Sequence, residues 1–201
     1  EFAETRRRIQ PGVAQVLAGL PDDAGDAWLD LGCGSGWLAV EWLRAKRISA
    51  YTGLDFSPQL LAEARRQLET AQPGANAVTF RQADFSAPNW DAGLAEGSFA
   101  GILCFAALHH LPGSVNRAEF ARRGAGLLRA GGRLWLSVWQ FQHSSRLAAR
   151  QLPWERAGLS ETDVEPGDTL LDWRRTSDGV PALRYVHRFE PEELTALGQS
   201  A

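Results

Sequence analysis

Residues 28–37 read WLDLGCGSGW. Trp28, Leu29 and Leu31 form a short apolar run with one acid, Asp30, inside it. Glycines follow at positions 32, 34 and 36, and an apolar helical pattern, WLAVEWLRAK, begins at Trp37. A glycine turn between a strand and a helix brings backbone close to whatever lies against it, because no Cβ stands in the way. Alone, the turn has two readings: a tight connection with nothing bound, or a backbone laid on a ligand. Its spacing, G-x-G-x-G, departs from the dinucleotide fingerprint G-x-G-x-x-G. An acid beside the loop would repel a pyrophosphate and would accept a cationic amino group.

Outward from that turn the chain alternates strands and helices. Residues 3–20 read as a helix interrupted near Pro11, 26–32 as a buried strand, and 37–46 as a helix with Leu38 and Trp42 on one face. A second strand is expected over 48–56 and a helix over 57–71, with Ser57 as N-cap and Pro58 at its first position. Strands follow at 77–85 and 98–105, then a helix at 120–130 and a fifth strand at 131–141. The alternation predicts an α/β fold, a mostly parallel central sheet with helices on both faces. Ligands of such sheets bind outside the carboxyl ends of the strands.

Two more acids fall at such ends. Asp55 closes the second strand, where a carboxylate typically meets ribose hydroxyls. Asp84 closes the third, where it would accept a hydrogen bond from an adenine amino group. Each acid taken singly is equally well a helix or turn cap. Taken together with Asp30, they suit one ligand with an amino acid head, a ribose and an adenine.

The segments LDLGCGSG, GLDFS, QADF and LLRAGGRLWLSV resemble the ordered motifs of class I S-adenosylmethionine-dependent methyltransferases over residues 26–141. The resemblance implies the Rossmann-like fold of that class and S-adenosyl-L-methionine as cofactor. It places Asp30, Gly32, Cys33, Gly34 and Gly36 around the methionine part of the cofactor. Asp55, with Phe56 and Ser57, falls at the ribose, Asp84 and Phe85 at the adenine, and Phe105 on the floor. The usual sheet of the class ends in a sixth and a seventh strand, and neither is evident, so the C-terminal strands are expected to be missing.

The fourth strand runs into CFAALHHLP, which lacks the Asn/Asp-Pro-Pro-Tyr of enzymes that methylate exocyclic base amines. His109 and His110 are either a cap and a packed side chain, or groups that orient or deprotonate the acceptor. Beyond the fifth strand, LPWERAGL, DVEPGDTLLDWRR and RYVHRF resemble the tRNA wobble-uridine carboxymethyl methyltransferases and their bacterial relatives. That resemblance implies a carboxylate acceptor on 5-carboxymethyluridine, a methyl-ester product and a small activator protein as partner. Arg184, His187 and one of the two histidines are then the donors that fix the carboxylate. Arg6, Arg7 and Arg8 would meet phosphates, or are a solvated helix face. Other readings are a small-molecule methyltransferase with Trp139, Trp154 and Trp173 lining an apolar pocket or the core, and a non-catalytic cofactor-binding subunit. A nicotinamide oxidoreductase is disfavoured by the glycine spacing.

Composition bounds these readings. The 201 residues carry a net charge of −3, so a tRNA contact would need a local basic patch. They suffice for a single domain, with residues 26–141 as cofactor core and 142–190 as an acceptor-side insertion or lid. No apolar run is long enough for a membrane span and no secretory signal opens the chain. Cys33 and Cys104 read as reduced, buried thiols, and a cytoplasmic location is expected. The absence of Met at any position and the ending in EELTALGQSA are expected of a fragment.

Overall fold

The structure is a computed structural model that describes residues 10–20, 26–45, 50–72, 77–173 and 182–201, without the side chain of Trp173. The described residues fall into two compact units. Those up to Phe105, with Gly124–Leu136, form the first, and Ala106–Arg123 with Ser137–Ala201 form the second.

The first unit begins with helix α1 (Pro11–Ala18). Strand β1 (Ala27–Leu31), helix α2 (Trp37–Arg44), strand β2 (Ala50–Asp55), helix α3 (Pro58–Ala71) and strands β3 (Val78–Gln82) and β4 (Phe99–Phe105) follow. Helix α4 (Ser114–Leu127) leads into β5 (Leu128–Ser137). The five strands lie in the order β3-β2-β1-β4-β5, and β1 pairs in parallel with both β2 and β4. The expected α/β class is therefore present, a Rossmann-like sheet flanked by helices. The order reverses between β1 and β4, and that reversal is where such a sheet opens a crevice at its carboxyl edge.

Local chemistry accounts for these elements. At α3 the Ser57 hydroxyl accepts from the Leu60 N–H at 3.3 Å and Pro58 takes the first helical position, as expected. Leu61 and Ala64 give α3 its buried face, and Ala39, Val40 and Trp42 do so for α2. Under the sheet, Trp28 stacks on Trp135 at 5.6 Å and tilts against Trp42 at 5.0 Å. Such aromatic contacts add to the large apolar area that the rings bury.

The largest shift from expectation is the helix after β4. It starts at Ser114 rather than at 120 and gives way to β5 at Leu128, before the glycine pair. Its start is set from far away in sequence: the Glu165 carboxylate accepts from the Ser114 N–H at 2.8 Å and from its hydroxyl at 2.7 Å. A cap supplied 51 residues later leaves no local signal.

The second unit contains a 3-10 turn at Leu108–His110, the first part of α4, a short helix α5 (Ser145–Ala148), and strands β6 (Gln151–Leu152), β7 (Asp168–Trp173) and β8 (Ala182–His187). Helix α6 (Pro191–Ser200) closes it. The strands form an antiparallel sheet in the order β6-β7-β8. The central sheet of the described residues has five strands, and this small antiparallel sheet lies outside the sequence expectation. Phe141, Leu171 and Val186 form the core here, with Trp139 and Leu147 packed on it. Trp154 is also buried, in agreement with the core alternative for that residue. Among the described residues no helix is long and apolar enough to cross a membrane.

Candidate active site

The glycine loop lies at the carboxyl end of β1, and its three glycines do different work. All three have left-handed backbones, with φ of 84° at Gly32, 56° at Gly34 and 78° at Gly36. Side chains other than glycine adopt that region at a cost. A Cβ on Gly34 would point into open space. A Cβ on Gly36 would lie 2.7 Å from the Ala64 Cβ, because the backbone there packs against α3. Gly34 is therefore the glycine that presents bare backbone outward, and Gly36 serves helix-to-sheet packing.

Asp55 binds the loop directly. Its carboxylate accepts from the Gly34 N–H and from the Ser57 N–H, each at 2.8 Å. The cap alternative for this residue is thus realised, but a carboxylate has further acceptor positions open to hydroxyls. Phe56, the next residue, is 64% exposed, a bare ring beside that carboxylate. Asp84 accepts from the N–H and hydroxyl of Ser86 at 2.9 and 2.6 Å, fixing the turn after β3. Phe85 packs edge-on to buried Trp90 at 5.4 Å. Phe105 is half-buried at the end of β4. The cofactor residues read from the sequence therefore share one edge of one sheet.

Asp30 sits deeper than its neighbours. It is 2% exposed and accepts a hydrogen bond from the Tyr51 hydroxyl. Burial pushes its carboxyl up to about 7, and the nearby Asp55 charge adds to the effect, while the Tyr51 bond opposes it. Tyr51, which sequence reasoning missed, is itself pushed upward by burial and by Asp30, so it stays a phenol and a donor. Burial also raises the Cys33 thiol, and Cys33 is packing rather than a nucleophile.

A family model described as a methyltransferase domain matches residues 29–132. The chain belongs to that family. The domain is of the class I kind, dependent on S-adenosylmethionine, and the loop above fits that cofactor: open backbone at Gly34, ringed by Asp30, Asp55 and an exposed aromatic. It is 36% identical over 122 residues to the 27-O-demethylrifamycin SV methyltransferase of Amycolatopsis mediterranei, covering 60% of this chain and 41% of that protein. It is 32% identical over 132 residues to a ubiquinone biosynthesis O-methyltransferase of Xanthomonas axonopodis, covering 65% and 50%. The chain thus spans half the length or less of these two relatives. The crystal structure of an S-adenosylmethionine-dependent methyltransferase from Methanosarcina mazei shares the fold, with a TM-score of 0.67 and 24% identity over 94% of this chain and 82% of that one.

The expected acceptor residues of the methyltransferase lie in the second unit, and the structure separates them. Arg184 and His187 are three apart on β8, so they point to opposite faces of that strand. Arg184 lies over the Trp139 ring at 5.5 Å. His187 is 2% exposed, with Nδ1 bonded to Asp168 at 2.7 Å and Nε2 to Glu193 at 2.9 Å. The two residues do not converge on one carboxylate, which corrects the grouping drawn from sequence, and His187 is enclosed between its own carboxylates.

The two adjacent histidines are told apart by their partners. His109 is fully buried, and its Nδ1 accepts from the Trp139 N–H at 3.3 Å. Its proton is therefore on Nε2. His110 is half-buried, and its Nδ1 meets the Tyr185 carbonyl at 3.0 Å. A carbonyl only accepts, so Nδ1 carries a proton, and in the neutral ring Nε2 carries the lone pair. The rings are 4.3 Å apart, and Trp139 lies against both. His109 is the packed histidine of the earlier alternatives, and His110 is the more exposed of the two. Arg6, Arg7 and Arg8 lie outside the described residues.

Replacing Asp55 with alanine removes the anchor of Gly34 and Ser57, and with it the acceptor that the sequence reading assigns to ribose. Affinity for S-adenosylhomocysteine, measured by calorimetry, should fall by about 1–3 kcal/mol. Unchanged affinity would take Asp55 out of the site.

Proposed function

We propose that the protein is an S-adenosylmethionine-dependent O-methyltransferase whose acceptor is a small molecule bearing a hydroxyl group, with His110 as general base. The observation that carries this reading is the contact of the half-buried His110 with the Tyr185 carbonyl, Nδ1 to O at 3.0 Å, which in the neutral ring puts the proton on Nδ1 and the lone pair on Nε2. A hydroxyl keeps its proton at neutral pH and needs such an acceptor. When bound, S-adenosylmethionine supplies a methyl carbon whose bond to sulfur breaks as the acceptor oxygen bonds to it, leaving S-adenosylhomocysteine. His110 takes the hydroxyl proton at Nε2, and Tyr185 holds the opposite side of the ring. The names of the two curated relatives, one acting on a demethylrifamycin and one in ubiquinone biosynthesis, support an O-linked small-molecule acceptor.

A second reading is a methyl ester on a carboxylate, such as that of 5-carboxymethyluridine in tRNA. Arg184 beside Trp139 supports it, since a guanidinium fixes a carboxylate and no base is required. One assay separates the two. Methyl-labelled S-adenosylmethionine is incubated with phenols and catechols, with carboxylic acids, and with bulk tRNA, with and without a small activator protein, and then treated with mild alkali. Label in the hydroxyl compounds that survives alkali is the expected result. Label released by alkali would move the acceptor to a carboxylate. His110→Gln should lower kcat by roughly 10²–10⁴-fold with S-adenosylhomocysteine affinity intact. Full turnover by that variant would remove the base.

A further inference from the structure

We propose that Tyr51 is a positioning residue that aims the Asp30 carboxylate at the amino group of S-adenosylmethionine. The inference rests on the cofactor and is independent of which acceptor the enzyme methylates. Side chains alternate along a strand, so Asp30 shares one face of the sheet with Trp28. In the parallel register Trp28 lies opposite Tyr51, and Asp30 lies opposite Gly53. Gly53 brings no side chain to meet the acid. The hydrogen bond comes instead from Tyr51, two residues back on the same face of β2. Its hydroxyl donates to Asp30 Oδ2, which leaves Oδ1 as the acceptor for an ammonium. The phenol has a fixed aim. Tyr51 is 1% exposed, and its ring lies 5.5 Å from that of Trp42, which packs in turn on Trp28. A ring enclosed in this way has little freedom to turn, so the carboxylate is held where the hydroxyl is.

The electrostatics of the pair leave room for a cation. Among the described residues the charged group acting on Asp30 is a second acid, Asp55, and Asp30 has no ion pair. A buried carboxylate is costly unless a cation or several donors meet it. One neutral donor offsets that cost only in part, since burial still pushes the carboxyl up to about 7 against the Tyr51 bond. The glycine loop begins two residues after Asp30, and Gly34 turns bare backbone outward there. An amino acid head laid on that backbone sets its ammonium near the acid and completes the partners of the carboxylate. A phenol bonds a carboxylate more strongly than a protonated acid, so Tyr51 also favours the form that an ammonium needs.

Tyr51→Phe keeps the ring and removes the donor. Calorimetry on the full chain uses two probes: S-adenosylhomocysteine, and 5′-methylthioadenosine, which has the same nucleoside and sulfur but no amino acid. At pH 7 the variant should bind S-adenosylhomocysteine about tenfold more weakly, and 5′-methylthioadenosine as the wild type does. Its affinity for S-adenosylhomocysteine should still climb between pH 7 and pH 8, where that of the wild type is flat. Equal loss for both probes would reduce Tyr51 to packing and overturn the proposal, as would no loss for either. In Asp30→Asn, adding Tyr51→Phe should cost no further affinity, because the phenol acts through the acid. If Tyr51→Phe does not fold, 3-fluorotyrosine placed at position 51 keeps the ring and hydroxyl and strengthens the donor. The climb should then end at lower pH than in the wild type, and an unmoved profile would overturn the proposal. Failure of the cofactor reading is distinct: the wild type itself would then bind neither probe.

Discussion

Gly101→Ala is expected to unfold the first unit or to cost it about 3 kcal/mol or more. Gly101 lies in the middle of β4 directly beside β1, and a Cβ there would fall 2.1 Å from Trp28 Cζ3 and 2.5 Å from its Cε3. The indole has little room to retreat, because it is 1% exposed and the rings of Trp42 and Trp135 both pack on it. Overpacking by one methyl ordinarily costs 1–3 kcal/mol, and a rigid, fully buried ring puts this site at the upper end. Denaturant unfolding measures the loss. The double variant Gly101→Ala with Trp28→Leu should recover part of it, since the two positions share one volume and their effects are not additive. Equal stability of the single variant and the wild type would mean that β1 and β4 do not approach as described.

The second large effect belongs to Asp30. Its carboxyl is raised from 3.8 to about 7 by burial in the folded chain, so between those values the folded state holds a proton that the unfolded state has released. Stability from this group is therefore greatest below about pH 4, falls as pH rises, and levels off above about pH 7. The full change is on the order of 4 kcal/mol. Asp30→Asn carries no titrating proton, so the stability difference between wild type and variant should drift by about that amount from pH 4 to pH 8. A constant difference would show that Asp30 titrates normally. The same proton bears on the cofactor. We propose that the cationic amino group of the cofactor lies beside Asp30 and favours the carboxylate, so affinity for S-adenosylhomocysteine should rise with pH up to about 7 and then flatten. In Asp30→Asn that rise should be absent.

Much of the first unit was legible because its signals are local. Ser57 and Pro58 mark the start of α3 by side-chain and ring geometry, and the apolar faces of α2 and α3 repeat at helical spacing. The glycines of the loop and the acids ending β2 and β3 fall within a few residues of the strand ends that position them. The roles of the glycines were less legible. From sequence all three make room for a ligand, whereas the Cβ of Gly36 would strike Ala64, which lies on another helix.

The second unit was read poorly, and for a physical reason. Its polar groups pair across long separations: Glu165 with Ser114 and Arg117, Asp168 with Tyr185 and His187, Tyr185 with His110. Sequence supplied the residue types in RYVHRF but not their faces. One strand is enough to put Arg184 with Trp139 and to send His187 to its carboxylates on the other side.

The sequence by itself determined the class of sheet, the glycine loop, its three acids and hence the cofactor, because each depends on residues near one another in the chain. Only the tertiary structure decided how deeply Asp30 is buried, which glycine faces outward and which partner each of the two adjacent histidines meets through Nδ1. Burial, clash and tautomer are set by atoms that neighbouring residues do not supply.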